Sequence, residues 1–383
     1  MSHKYDLLLT GGNVIDPAQG LSGRKDVAFI DGKIASISEN ISSETAKDVV
    51  AVNDKLVMPG LIDLHGHFAH KITPFRADPD TTCLPIGVTT AVDTGSTGWI
   101  NFPGFRAYVM ERVDTRLYAF LHLSSLGVTT VLTLGIPDTE DFRLAREEEA
   151  VQCIEENRDL ILGIKVRLSP HGTTAANAVP SMEMARRVAE KTNTKIMVHV
   201  MDSPLPMKQV FDYLRSGDVV THAFHGTEHN ITTDGIRLRD EAWEAREKGV
   251  IFDTGCFMRH FSLPLCRAAV EQGFDPDTIS TDIVGPRPGT TCYNLLEVMS
   301  IFLELGMEVD EIVRATTINP SKVIGDEGLG SLVIGSVGDV AVLDIVAGDF
   351  YYEDQLGDSI RANNRFEHVV TVKDGAIWNP TVG

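Results

Sequence analysis

The chain has 383 residues, of which 43% are hydrophobic and 23% are charged, and its formal net charge at pH 7 is −20. This composition is typical of a globular protein with a large core, and it excludes a disordered or fibrous chain. The strong negative charge repels phosphate backbones and anionic membrane surfaces at long range, so neither nucleic acid nor a membrane is an expected partner.

The N-terminal segment is rich in strand and turn signals. The strings YDLLLTGGNVID and DVAFIDGKIASIS suit strands, and the Asp31-Gly32 pair inside the second string suits a hairpin turn. The apolar stretch before Thr10 is too short for the core of a signal peptide or for a membrane span. Secretion is therefore not expected.

The cysteines also bear on the cellular setting. They are five in number, widely spread, and without a C-x-x-C pair: Cys83, Cys153, Cys256, Cys266 and Cys292. This pattern does not suit a disulfide framework and favours a reducing, cytoplasmic location.

From about residue 60 to residue 320, short apolar strands alternate with longer amphipathic stretches that carry charge. This alternation is typical of repeated β-α units. Eight strings suit the strands: LIDLHGH, TTAVDTG, YAFLHLS, ILGIKVRLS, KIMVHV, VVTHAF, VIFDTG and TISTDIV. Eight such strands predict an α/β fold with a closed (β/α)8 TIM barrel over residues 59–324, whose chemistry lies at the carboxyl ends of the strands.

The C-terminal segment again consists of strands and turns. SVGDVAVLDI and HVVTVKDG suit strands, and Asp374-Gly375 supplies a second turn signal. Because β-rich segments flank the barrel on both sides, we predict that residues 1–58 and 325–383 join in one small β-sandwich domain.

Histidines stand at the ends of three predicted strands. His65 and His67 flank Gly66, and the two-residue period of a strand points both imidazoles to the same face. A bare His-x-His pair also arises by chance, but His199 in IMVHV and His222 in VVTHAF end two later strands. Imidazole nitrogen is a common ligand of zinc and related metals, so the set indicates a metal site.

Two further residues suit such a site. Asp282 in TISTDIV supplies a carboxylate that can bind a metal and accept a proton from its water, although a turn or cap aspartate is the alternative. Lys165 stands in the apolar string GIKVRLS, where an unpaired ammonium is costly to bury. That lysine needs a partner or a modification, unless it reaches solvent from the end of its strand.

Taken in chain order, these motifs resemble the amidohydrolase superfamily, in particular its dihydroorotase-like and hydantoinase-like members and the related deacetylases. The resemblance runs nearly from end to end of the chain. It rests on these strings: GGNVIDPAQG, DVAFIDGKIASI, PGLIDLHGH, the lysine, histidine and aspartate strands, ATTINPSKVIG and GSVGDVAVLDI.

The resemblance implies two divalent metal ions, with zinc as the expected metal. It makes His65 and His67 ligands of the more buried ion, and His199 and His222 ligands of the more exposed one. Lys165 is then carboxylated by carbon dioxide, and its carbamate bridges both ions. Asp282 completes the first site and acts as the general base and then the general acid, while a metal-bridging hydroxide attacks the substrate carbonyl.

Shorter strings bear on the identity of the substrate. The string HGHFAHKITPF lacks the arginine that dihydroorotase-type members carry shortly after the histidine pair, whereas GIKVRLS and THAFHG resemble the deacetylase branch. The expected reaction is therefore hydrolysis of a small acyl amide or ester, such as deacetylation of an N-acyl amino acid or O-acyl hydroxy acid. Cyclic-amide hydrolysis is the alternative, followed by a non-catalytic barrel scaffold. The resemblance is also compatible with a homo-oligomer.

Several residues near the predicted strand ends are candidates for substrate contact. Arg167 lies two residues beyond Lys165, where its guanidinium could bind a substrate carboxylate, although a structural salt bridge explains it equally well. His225 lies in the loop after the strand of His222 and could donate a hydrogen bond to the substrate or its oxyanion. Ser96 and His260 either line the pocket or serve turns and packing.

Overall fold

Strands from both ends of the chain build one sheet, and strands from the middle build another. The computed structural model describes residues 3–75, 77–285 and 293–379. Within these residues the strands are β1 (Tyr5–Asp16), β2 (Leu21–Ile30), β3 (Lys33–Ser38), β4 (Ala46–Ala51), β5 (Leu56–Pro59), β6 (Leu61–Gly66), β7 (Val88–Thr94), β8 (Arg116–His122), β9 (Ile161–Leu168), β10 (Lys195–Val200), β11 (Val219–Thr221), β12 (Ile251–Asp253), β13 (Val340–Glu353), β14 (Ser359–Lys373) and β15 (Ala376–Ile377).

Most helices lie between the strands of the second sheet or follow it. The helices are α1 (Pro79–Thr82), α2 (Phe102–Phe105), α3 (Thr129–Leu134), α4 (Glu147–Glu156), α5 (Ala175–Thr192), α6 (Met207–Tyr213), α7 (Asp240–Glu247), α8 (Leu263–Glu271), α9 (Leu295–Leu305), α10 (Val309–Thr316) and α11 (Ile318–Ile324). Shorter helical turns occupy Ser43–Thr45, Leu84–Ile86, Arg106–Met110, Phe142–Leu144 and Met258–His260. No helix of the described residues is long and apolar enough to cross a membrane.

The two chain ends share one eight-stranded sheet. Its order is β15-β14-β13-β5-β1-β2-β3, and β4 pairs with β1 beside this path. Both predicted hairpin turns are present, because Asp31 and Gly32 join β2 to β3 with φ angles of 49° and 77°, and Asp374 and Gly375 join β14 to β15 in the same way. Apolar side chains of β1, β2, β3, β5, β13 and β14 pack into one cluster.

The second sheet is parallel, in the order β12-β11-β10-β9-β8-β7-β6. The segment around residues 278–283 closes it, because Thr278 bridges to Asp253 of β12 and Ile283 bridges to Gly66 of β6. This segment is the predicted eighth strand, but it forms isolated bridges because Asp282 adopts a left-handed backbone with a φ of 54°. The predicted (β/α)8 barrel with a small β domain built from both chain ends is confirmed.

Gly60 joins the two sheets at a point where the chain is tightly packed. A Cβ atom at this position would lie 2.2 Å from the hydroxyl of Thr89, so only glycine fits between β5 and β6. The Pro-Gly step before the first barrel strand therefore has a steric cause. Whether the domain boundaries lie at 58/59 and 324/325 stays a prediction.

The barrel core separates its two ends. Apolar side chains from β6, β7, β8, β10 and β11 fill the interior together with Val323 and Ile324 of α11, which close the amino ends of the strands. The polar residues that the sequence singled out lie at the carboxyl ends instead.

Candidate metal centre

The four predicted histidine ligands and the predicted aspartate meet in one buried cluster. Nε2 of His65 lies 3.4 Å from Oδ1 of Asp282, Nε2 of His67 lies 3.1 Å from the same oxygen, and Nε2 of His222 lies 3.8 Å from Oδ2. The ring of His199 lies against that of His222, with their centroids 4.2 Å apart. These residues are at most 7% exposed, so the cluster is shielded from bulk water.

Two members of the cluster have strained backbones. His222 and Asp282 have φ angles of 60° and 54°, in the left-handed region that favours glycine. Each such residue costs about 1–3 kcal/mol, and such strain is concentrated at functional sites. Both side chains enter the same cluster, where Nε2 of His222 lies 3.8 Å from Oδ2 of Asp282.

Hydrogen bonds fix the tautomers of two histidines. Nδ1 of His222 lies 2.9 Å from the carbonyl oxygen of Gly255, which can only accept, so the proton is on Nδ1. Nδ1 of His65 lies 2.6 Å from the hydroxyl of Thr221, and that hydroxyl donates to Oδ2 of Asp253 over 2.7 Å. The Thr221 hydroxyl must therefore accept from His65. In both histidines Nε2 is left with a free lone pair.

His67 is oriented from β7. Its Nδ1 lies 2.8 Å from the hydroxyl of Ser96, and the backbone of Ser96 in turn donates to Oδ1 of Asp93 over 2.9 Å. The other carboxylate oxygen of Asp93 accepts from the backbone of Phe68, the residue after His67. The sequence left open whether Ser96 lines the pocket or serves a turn. In the structure its hydroxyl holds a candidate metal ligand, His67, in place.

Lys165 is fully enclosed beside this cluster. The residue is only 1% exposed, and Gly95, which directly follows β7, leaves it room, because a Cβ there would lie 2.9 Å from Cγ of the lysine. Burial lowers the pKa of Lys165 to about 7. The lysine does not reach solvent from its strand end, which excludes the alternative that the sequence left open.

The residues fit a divalent metal centre. Buried polar atoms in proteins are normally hydrogen-bonded, yet among the described residues Lys165 Nζ, His199 Nε2 and His222 Nε2 have no partner. Burial lowers the pKa of His65, His199 and His222 well below the usual range of histidine, so these rings are neutral. Neutral imidazoles beside a carboxylate are the donor set that zinc and related ions prefer.

His260, for which the sequence left pocket and packing roles open, is a fifth histidine of the site. Its Nδ1 lies 2.9 Å from Oδ2 of Asp282, and its ring centroid lies 4.1 Å from that of His222. The only sequence signal was its place after the seventh barrel strand, at the end of the barrel where the site lies.

A cavity of about 310 Å³ opens onto this cluster. Its described lining comprises His65, His67, Phe75, Val128, Val131, Leu132, Lys165, Arg167, His171, His199, Phe257, His260, Asp282 and Val284. His222 is fully buried beneath this surface.

Arg167 lines the cavity and also forms a salt bridge. Its Nη1 lies 2.8 Å from Oδ2 of Asp138, a fully buried residue whose same oxygen lies 3.4 Å from Nε2 of His122. The guanidinium side chain keeps 15% of its surface exposed. Arg167 can therefore form the salt bridge and line the pocket at the same time, so the two roles that the sequence left open are compatible.

His225 lies apart from the cavity lining. Its side chain is fully buried, and its Nδ1 accepts a hydrogen bond from the hydroxyl of Thr227 over 2.8 Å. Burial lowers the pKa of His225 to about 3, so the ring is neutral. A substrate contact by His225 stays a prediction that this placement does not favour.

The cysteines do not enter the site as a disulfide framework. Cys83, Cys153 and Cys266 are buried and form no disulfide, and burial raises the pKa of Cys153 to about 12. Cys256 is buried as well, and Cys292 lies outside the described residues.

Comparisons with known proteins agree with this geometry. The model of the Amidohydrolase family matches residues 56–377. A deacetylase of Brucella anthropi is 32% identical over 88% of this chain and 83% of its own length, and a deacetylase of Agrobacterium fabrum is 32% identical over 94% and 88%. Among solved structures, an adenine deaminase has a TM-score of 0.90 at 26% identity, and the match covers 98% of this chain and all of the deaminase chain. A dihydroorotase has a TM-score of 0.87 at 30% identity, and the match covers 97% of this chain and 98% of the dihydroorotase chain.

Proposed function

The chain belongs to the amidohydrolase family, and from this premise we propose that it is a metal-dependent deacetylase of small N-acyl amino acids or O-acyl hydroxy acids. The observation that carries the proposal is the buried cluster of imidazoles around Asp282 together with Lys165, whose Nζ has no hydrogen-bond partner among the described residues. The two deacetylases at 32% identity support the choice of reaction within the family.

The site would hold two divalent ions, most simply zinc. His65, His67 and Asp282 would bind one ion, and their ligand atoms already lie within 4.8 Å of one another. His199 and His222 would bind the other through the Nε2 atoms that have no partner among the described residues. Bound there, the ions would polarise the substrate carbonyl and lower the pKa of a water molecule to near neutrality.

Lys165 would join the two ions as a carbamate. With a pKa of about 7, much of its amine is neutral near pH 7 and can attack carbon dioxide. A nitrogen–carbon bond forms, one proton leaves, and the product is an anion with two oxygens. This reaction replaces a buried cation next to the imidazole cluster by a ligand of opposite charge, which removes the cost of burying the ammonium.

Asp282 would move the proton. One carboxylate oxygen faces His65 and His67, and the other accepts a hydrogen bond from Nδ1 of His260. That bond fixes the orientation of the carboxylate. Asp282 would take a proton from the attacking water and then deliver it to the departing nitrogen or oxygen of the substrate.

Arg167 would hold the substrate carboxylate. The guanidinium can bind a carboxylate through two parallel hydrogen bonds, and its bond to Asp138 leaves part of it exposed in the cavity. The buried Asp138 limits the freedom of the arginine, so less conformational entropy is lost when the substrate binds.

A second candidate is hydrolysis of a cyclic amide, which the 30% identity to a dihydroorotase structure favours. Metal-loaded protein should therefore be tested with N-acetyl D- and L-amino acids, acetylated hydroxy acids, dihydroorotate and hydantoins. Release of acetate supports the proposal, whereas ring opening alone would favour the second candidate. Absence of turnover in metal-loaded protein on the whole panel would contradict both and favour a non-catalytic scaffold.

A further inference from the structure

The cavity above the metal centre has one polar side and one apolar side. Arg167 and His171 lie on the polar side, together with the metal cluster. Six described residues form the apolar side: Phe75, Val128, Val131, Leu132, Phe257 and Val284. They pack on one another as a single cluster that is separate from the main cores of the molecule. The apolar side is therefore a continuous wall.

The wall is assembled by loops that follow different barrel segments. Phe75 comes after β6, Val128 after β8, Phe257 after β12, and Val284 after the closing segment. Loops at this end of a barrel determine what the active site accepts. Val131 and Leu132 lie on the short helix α3 and are partly buried. The wall therefore belongs to the mouth of the site and not to the barrel core.

The wall reaches the reacting centre. The ring of Phe75 stacks on the imidazole of His67, with centroids 4.3 Å apart and an angle of 22° between the planes. No described residue on the apolar side carries a charge. Among the described residues of this side, a charged substituent would lose its water without gaining a partner of opposite charge, whereas an apolar one would gain by leaving water.

The chemistry of an acylated acid determines which group meets this wall. Its α-carbon carries the acylated nitrogen or oxygen, the carboxylate and one side chain. When the acyl group lies at the metal centre and the carboxylate lies on Arg167, the side chain is directed to the remaining wall. A cavity of about 310 Å³ has room for a side chain of the size of leucine or phenylalanine.

We infer that the wall of Phe75, Val128, Val131, Leu132, Phe257 and Val284 is a specificity site for an apolar side chain, aliphatic or aromatic, on the α-carbon of the substrate. This inference rests on the proposed function, because it assumes an acylated acid. The polarity of the substrate side chain, and not the acyl group alone, then determines kcat/KM for different substrates.

The first test measures kcat/KM of the metal-loaded protein for the N-acetyl derivatives of glycine, alanine, leucine, phenylalanine, glutamate and lysine, each as the enantiomer that is turned over. We expect the leucine or phenylalanine derivative to exceed the glycine derivative by roughly tenfold or more, because a hydrophobic pocket discriminates by about that factor per missing group. The glutamate and lysine derivatives should fall below alanine.

A variant pair on one helix sharpens the test. Leu132→Asn places an amide in the wall, and the leucine-to-glycine ratio of kcat/KM should fall by roughly tenfold. Leu134→Asn is the matched control, since Leu134 lies on the same helix but is 67% exposed and does not line the cavity, and it should leave the ratio unchanged.

The possible failures can be distinguished. Equal kcat/KM across the series, or a preference for glutamate or lysine, would overturn the specificity site while leaving the deacetylase in place. If no member of the series were hydrolysed, the glycine derivative included, the O-acetyl hydroxy acids with the same side chains would be measured in the same way. Absence of turnover on both series would overturn the proposed function and this inference with it. An unchanged ratio in Leu132→Asn would also overturn the inference.

Discussion

The hydroxyl of Thr221 provides a sharp test of how the candidate metal centre is held. It accepts a hydrogen bond from Nδ1 of His65 over 2.6 Å and donates to Oδ2 of Asp253 over 2.7 Å. Thr221→Val keeps the shape of the side chain and removes only this hydroxyl. The Nδ1 hydrogen of His65 and the Oδ2 atom of Asp253 then both lose the hydrogen bond that they make to it.

The size of the effect follows from these two losses. A buried polar group left without a partner costs about 1–3 kcal/mol, so the two losses together should lower the free energy of unfolding of Thr221→Val by about 2–6 kcal/mol. The imidazole of His65 also loses the contact that fixes its tautomer. Loss of such a supporting contact typically weakens metal binding by roughly 10–100-fold.

Thr278→Val is the matched control. Thr278 donates to the other oxygen of Asp253, Oδ1, over 2.7 Å, and Ser280 donates to that oxygen as well. This variant should cost about 1–3 kcal/mol of stability without loss of metal affinity, because it makes no hydrogen bond to His65. Thr221→Ser keeps the hydroxyl and should restore most of the affinity.

The assay combines two measurements on metal-free protein. Urea unfolding reports the free energy of unfolding, and titration with zinc against a competing chelator reports affinity. Equal loss of affinity in Thr221→Val and Thr278→Val would show that the effect is general destabilisation. Undiminished affinity in a folded Thr221→Val would refute the argument about the His65 tautomer.

The remaining predictions concern residues of the proposed mechanism. Lys165→Ala should lose both metal and activity, and a short carboxylic acid added with metal should restore part of each; full metal content with normal turnover would contradict the carbamate. Asp282→Asn should retain most of the metal, measured by elemental analysis, while kcat falls roughly 10²–10⁴-fold, and near-normal turnover would mean that another residue is the base. Arg167→Met should raise KM for an N-acetyl amino acid more than for its uncharged amide, and an equal change for both would exclude carboxylate binding.

The barrel and the meeting of the main candidate ligands in one cluster could be predicted because strands give regular signals. His65 and His67 share a strand face, and parallel strands bring their carboxyl ends together at one end of a barrel, which is where His199 also lies. Lys165 was conspicuous because an ammonium in an apolar strand requires an explanation. The two-residue period of a strand and the common end at which parallel strands finish in a barrel are sufficient to predict these positions.

The supporting residues were not predictable in the same way. Thr221 and Asp253 are short polar residues at strand ends, and their sequence context does not show that one hydroxyl joins them to His65. Asp138 lies 29 residues before Arg167, in a loop whose path depends on tertiary packing. His260 lies in a helical turn and not in a strand. It belongs to the site only because the fold brings the carboxylate of Asp282 within hydrogen-bond distance of its ring.

Two expectations from the sequence assumed a more regular backbone than the structure has near the site. The eighth strand was expected to be continuous, but the left-handed backbone of Asp282 interrupts it and turns the carboxylate toward the histidines. His225 was considered for substrate contact because loops after barrel strands line active sites, yet its loop turns inward and buries the ring.

The central claim is that hydrolysis depends on metal held by this cluster. The most direct measurement follows bound divalent metal per chain and acetate release from an N-acetyl amino acid in the same samples, while a chelator removes metal and added zinc restores it. We expect about two ions per chain, with activity lost and regained in step with them. Hydrolysis at the full rate by protein shown to be metal-free would contradict the account.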